Sequence, residues 1–243
     1  METITSRIYK PADFSAGQLH EMLVTLGRKG FSPEMAAEVA STKSGKAEQI
    51  VGLFAAVPGI GQMIADHQIF YHKFFGMDVD FSSVRIPEKR VGFDRLIIVA
   101  QGLTPNKVYE VCRQNFKCWR YTDDLDKSTA GLHERDPMNG HYAIWVRDRI
   151  EADGELKNKS ANQIKAEGLT TETLTERLIH ELKFFDETGQ HLNIDNITLC
   201  SGSRGSGGGV PGVSWGGVGH VVGVGWCGPR DAGGFLRARA VVS

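Results

Sequence analysis

Cysteine is scarce in this chain, and the little there is falls into no motif. Four residues, Cys112, Cys118, Cys200 and Cys227, in 243 are too few for a disulfide scaffold, and no CxxC pair occurs, so reduced thiols are expected. Cys112 and Cys118 are separated by five residues and the others are distant, which leaves neither half of a structural zinc motif. No metal site is expected. Charge of one sign is lacking as well: 28 Lys and Arg against 29 Asp and Glu create no field that would draw the chain to nucleic acid or an anionic membrane. Long apolar runs are missing; none approaches the roughly 18 residues that cross a bilayer, and METITSRIYKPADF lacks the apolar centre of a secretory leader. GSGGG at 205–209 has neither the Lys nor the Ser/Thr of a phosphate loop. No cofactor is expected.

What is present suffices for a core, since 41% of the residues are hydrophobic. Residues 15–56 read as three short helices. Ser15 and Gln18 can form a capping box ahead of Leu19, Met22, Leu23 and Leu26 at helical spacing. Ser32-Pro33 starts a second helix with the narrow stripe Met35, Ala36, Val39 and Ala40. A third runs from about Lys46 to Ala56, before the breakers Pro58, Gly59 and Gly61. Six basic and six acidic residues in 1–60 make a poor phosphate binder, so this segment is expected to be a docking or oligomerisation module. Residues 61–91 then read as a connecting segment.

The middle of the chain supplies a scaffold. Arg95 to Ala100 is a β-branched run suited to a buried strand, and Thr104-Pro105 caps a helix with Val108, Val111, Cys112 and Phe116 on one face. Tyr142 to Val146 alternates as a second strand. Leu174, Leu178, Leu182 and Phe185 mark a helix from about Thr171 to Thr188, closed by Gly189. Asn196 to Cys200 is a third strand. Two chemical possibilities stay open: Cys200 with His180 or His191 as a nucleophile and base, and Asp123, Asp124 and Asp126 as a hard-cation loop. Cys200 in a strand pattern reads better as a small core residue, and the acidic run as a solvated loop.

Glycine is concentrated at the end, with 14 of the 29 falling in 201–243. A linker would mix Gly and Ser without apolar periodicity. Here Val222, Val224 and Trp226 alternate with Val221, Gly223, Gly225 and Cys227, and Val213 and Trp215 alternate with Gly212, Ser214 and Gly216. One register looks chosen for a core, the other without regard to strand propensity. The chain then ends in LRARAVVS, read as a further strand.

These residues carry a resemblance. From about Gly92 onward, and above all in ELKFFDETGQHLNIDNITLCSGSR, VPGVSW, VGW and LRARAVVS, the chain resembles the variable proteins of diversity-generating retroelements. The resemblance implies a C-type lectin fold, related to that of formylglycine-generating enzymes, over 92–243, making the whole an α+β protein with a small N-terminal helical module. It also implies a variable region at about 204–235, where adenine-directed mutagenesis scrambles AAY codons. The implied ligand-binding positions are Gly205, Gly212, Ser214, Gly216, Gly217, His220, Val221, Gly223, Gly225 and Cys227, and then Gly228, Arg230, Asp231, Ala232, Gly233, Gly234 and Phe235. The partner expected is a macromolecule, in the first place a protein, with no nucleic acid, no calcium-dependent sugar binding and no catalytic residues; self-association and a cytoplasmic or virion-associated location fit the same reading. An outer face poor in Tyr, Trp and Arg predicts weak binding. The alternatives are an enzyme of the formylglycine-generating type, resting on Cys200 and Cys227, and a scaffold protein using the tail as an assembly contact.

Overall fold

The structure, a computed structural model, describes residues 15–41, 44–47, 59–129, 132–216 and 219–243. The chain is α+β and divides into two compact units, residues 1–59 and 60–243. In the first unit, α1 (Ala16–Arg28) forms where the apolar spacing predicts it and α2 (Pro33–Ala40) where capping and spacing do. Ser32 Oγ accepts the Met35 N–H at 3.3 Å, and Pro33 occupies the first turn, where its missing donor is not needed. Leu19, Met22, Leu23 and Leu26 of α1 are exposed. The side chain of Gln18 and most of the expected helix from Lys46 to Ala56 lie outside the described residues.

The second unit runs α3 (Ile60–Phe75), β1 (Arg95–Val99), α4 (Pro105–Asn115), β2 (Cys118–Arg120), α5 (Leu125–Thr129), β3 (Tyr142–Val146), α6 (Ala161–Ala166), α7 (Leu174–Thr188), β4 (Ile197–Leu199), β5 (Val210–Gly216), β6 (Val221–Cys227) and β7 (Leu236–Arg237). Residues 61–91 are not a mere connector. Helix α3 buries Phe70 and Tyr71, and the Tyr71 hydroxyl donates to Ile98 O at 2.7 Å while accepting the Ala100 N–H at 3.1 Å, which docks the helix on β1.

Strands β1 and β3 pair antiparallel, with Ile97 opposite Ile144. The larger sheet has the order β2-β6-β5-β4-β7; its β2–β6 and β4–β7 pairs are parallel and the two central pairs antiparallel. Helix α7 joins the two sheets. Leu174, Leu178 and Leu182 pack in one core with Ile97, Ile144, Val213, Val222 and Val224. Thr173 and Glu176 cap its start reciprocally, and Gly189 ends it at φ 68°, a conformation glycine adopts without steric cost.

Amphipathic spacing predicts one buried face for α7, yet Leu174 through Phe184 are all buried. The polar face is covered because its charges are paired. Arg177 donates to Glu181 at 2.8 Å and to Asn193 Oδ1 at 2.9 Å, and Asn193 Oδ1 also accepts from Arg239 at 3.1 Å. Burial works against ionisation of Glu181, but Arg177 and His191 outweigh it and hold the carboxyl below its usual range. The final strand is shorter than expected. After Leu236–Arg237 isolated bridges remain, Ala240 to Thr171 and Val242 to Trp145, and between them the Arg239 side chain bonds Arg149 O and Ile150 O.

Candidate ligand-binding surface

The β5–β6 ladder converts the sequence alternation into two faces. Opposed residues share a face, so the pairs Val213–Val224 and Trp215–Val222 fall on one side, and Gly212–Gly225, Ser214–Gly223 and Gly216–Val221 on the other. Val213, Val222 and Val224 are fully buried, each worth about 1.5–3 kcal/mol relative to exposure. Trp215 is only half-buried. Its ring stacks on His191 at 3.7 Å and 8°, and His191 stacks in turn on Phe185 at 4.9 Å. Glu181 Oε1, 2.8 Å from His191 Nδ1, fixes that imidazole from behind. Trp226 is also half-buried; its Nε1 donates to Thr122 Oγ1 at 2.7 Å.

On the outer face, absent side chains leave a trough of about 310 Å³. Gly212, Ser214, Gly216, Val221, Gly223, Gly225 and Cys227 line it, together with Trp119 from β2, Ile197 from β4 and Trp226. A Cβ placed on Gly225 would meet nothing within 4 Å, and one on Gly223 would come only to 3.9 Å of Trp119 Cε3. These two positions accept larger residues. Gly212 is tighter, since its Cβ would sit 3.1 Å from Ile197 Cγ2 and 3.2 Å from Cys227 Sγ.

The remaining implied positions lie in different surroundings. Gly205 is buried beneath Trp226, and a Cβ there would lie 2.7 Å from Trp226 Cζ3; it is a packing glycine rather than a variable one. Cys227 is half-buried and packs with Ile197, Val210 and Leu236, under the cover of Ala161 from α6, so its side chain belongs to a wall. Residues 228–235 form a separate exposed loop and do not line the trough. In that loop the Asp231 carboxylate accepts the Gly228 N–H at 2.6 Å and the Asp231 N–H donates to Gly228 O at 3.0 Å, while Pro229 O accepts the Asn162 N–H at 3.0 Å. Arg230, Asp231, Ala232, Gly234 and Phe235 are exposed, Phe235 at 59%, and Gly233 is half-exposed beside the Phe235 ring. His220 is exposed in the hairpin turn at φ 49°, with its ring 6.0 Å from Trp215. Gly217 lies outside the described residues.

The residue the sequence did not single out is Trp119. It is 52% exposed and in register with Gly223, and its ring meets Tyr121, itself 74% exposed, at 6.2 Å. Strand β2 has three residues, too few for alternation to be read; the only available signal is two aromatics at i, i+2 in CWRY.

The other chemical candidates resolve into packing. Cys200 is fully buried and its thiol is pushed well above the usual range by burial, as is that of Cys227 more modestly, the opposite of what a nucleophile requires. His180 Nδ1 lies 2.8 Å from Glu172 and His191 Nδ1 lies the same distance from Glu181, so both imidazoles are engaged by carboxylates. Asp124 and Asp126 accept hydrogen bonds from Asn106, and Asp124 from the Lys127 N–H, tying α4 to α5. A larger cavity of about 790 Å³ opens beside the start of β3, but its walls mix Arg85, Lys89, Arg90 and Arg135 with Glu88, Glu134 and Asp136. Arg135 there is already spent on a two-pronged bond to Glu176. Among the described residues no helix is long and apolar enough to cross a membrane.

Comparison with protein-family models, curated proteins and solved structures finds no match to this chain. Its function is therefore read from the surface itself.

Proposed function

We propose that this is a ligand-binding protein whose outer β5–β6 face and following loop are diversified by retroelement-directed adenine mutagenesis, on a C-type lectin-like domain. The observation that carries the reading is the split between registers of one hairpin. Val213, Val222 and Val224 are fully buried, while Ser214, Gly216, Val221, Gly223 and Gly225 on the other register reach solvent. A rigid two-strand platform tolerates outward change that a close-packed core cannot. Exposed residues such as Arg230, Asp231 and Ala232 extend the surface onto a loop whose ends are tied by backbone hydrogen bonds.

The test is a tail exchange. Replacing Ser214, Gly216, Val221, Gly223, Gly225 and the exposed residues of 230–235 by those of a sibling copy should move binding preference with the tail. Oligomeric state by light scattering should stay the same. Unchanged preference with altered assembly would make the tail an assembly contact instead.

A further inference from the structure

The outer face is poor in large side chains, and that poverty has a shape. On β6, Gly223 and Gly225 present bare backbone, with the Ser214 hydroxymethyl group opposite Gly223, while Gly212, opposite Gly225, is buried against Ile197 and Cys227. Residues two apart on one strand are separated by about 7 Å, so the bare floor is as long as a bicyclic ring. Its sides are apolar and fixed from outside the variable region: Ile197 from β4, and Trp119 from β2 leaning over Gly223. No Asp, Glu, Lys, Arg or His lines the trough, and the one titratable group there, the Cys227 thiol, is held in its neutral form by burial. Beyond Trp119 stands Tyr121, edge-on to it at 72°. A pair of exposed aromatics at the rim of an uncharged hollow is the arrangement in which an interface buries an anchor residue.

We propose that the trough is a socket for one aromatic side chain projecting from a protein ligand, with Trp119 as a wall that diversification does not change. This rests on the reading of the outer face as a ligand surface. The incoming ring lies on the glycine backbone and meets Trp119 edge to face, a geometry aromatic pairs favour. A charged side chain would lose its hydration with nothing to replace it. A short aliphatic one would leave the floor partly uncovered. The expectation of weak binding from the lack of outward Tyr, Trp and Arg is thereby revised: in this variant the large ring is supplied by the ligand.

The probe is N-acetyl-5-fluorotryptophanamide, titrated with the full chain and followed by fluorine NMR, with N-acetyl-leucinamide as competitor. Saturable binding is expected, with the leucine compound at least tenfold weaker. Gly225→Val fills open space and Trp119→Ala removes the wall; each should weaken the probe at least tenfold. If Trp119→Ala fails to fold, Gly225→Val decides alone. No saturable binding, equal binding of the leucine compound, or full binding by a folded Gly225→Val variant would overturn the socket. If the probe fails while tail exchange still moves protein-binding preference, the surface reading survives and only the socket is lost. Failure of both removes both.

Discussion

Val224 and Gly225 are adjacent in β6, and exchanging their residue types one at a time weighs the two faces against each other. Val224 is fully buried opposite Val213. Val224→Gly removes about 1.5–3 kcal/mol of burial and adds roughly 0.5–1 kcal/mol for a glycine in a strand, with a further cavity cost if neighbours do not close in. A loss of about 3–4 kcal/mol follows, which for a unit of this size lowers Tm by roughly 6–16 °C. Gly225→Val makes the opposite chemical change one residue along. Its Cβ meets nothing within 4 Å, valine is the better strand former, and Tm should stay within about 2 °C of wild type or rise. Scanning calorimetry of both variants beside wild type provides the readout. Similar losses in the two variants, or a larger loss in Gly225→Val, would refute the assignment of faces.

Further outcomes follow from the same geometry. Gly205→Ala, by forcing a methyl to 2.7 Å from Trp226 Cζ3, should cost about 1–3 kcal/mol in denaturant unfolding, whereas a truly variable position would show none. Arg177→Ala removes the buried cation that bonds Glu181 Oε2, leaving His191 and the Leu192 N–H on Oε1 and Arg239 and Thr198 on Asn193 Oδ1, and should lower stability by about 3–5 kcal/mol; a loss under 1 kcal/mol would mean the network is solvated. His67 is buried, and burial together with Lys183 lowers its pKa to about 3. Because an unfolded histidine protonates near 6.5, the unfolded state binds the extra proton between these values. Stability is therefore lost as pH falls from about 6.5 toward 3, at up to about 1.4 kcal/mol per pH unit. Urea titrations of His67→Gln between pH 6.5 and 4.5 should give a slope shallower than wild type by about one proton, and an unchanged slope would show that His67 is hydrated.

Sequence patterns that report on a single element were sufficient for much of the fold. β1, β3, β5 and β6 stand where β-branched runs or alternation put them, and Thr104-Pro105 and Gly189 bound their helices through local capping chemistry. Features that depend on partners were not legible. The run IADHQIFYHKFF shows no clean polar face, and only docking on β1 explains Tyr71. Full burial of α7 depends on Asn193 from the loop just past Gly189 and on Arg239 arriving from a distant segment. The two registers of the tail were visible as alternation, but the trough was not, because its walls Trp119 and Ile197 come from strands of three residues each. Gly205 looked like any other tail glycine until the Trp226 ring was placed above it.

The most direct measurement is sequencing of the DNA around this gene, including any near-copy of the tail's coding segment. Diversification predicts a neighbouring reverse transcriptase gene and a template copy differing at adenines. The mismatches should fall in codons for Ser214, Gly216, Val221, Gly223, Gly225 and the exposed residues of 228–235, and should spare Gly205, Val213, Val222 and Val224. A locus with no template copy, or mismatches spread equally through the buried valine codons, would contradict it.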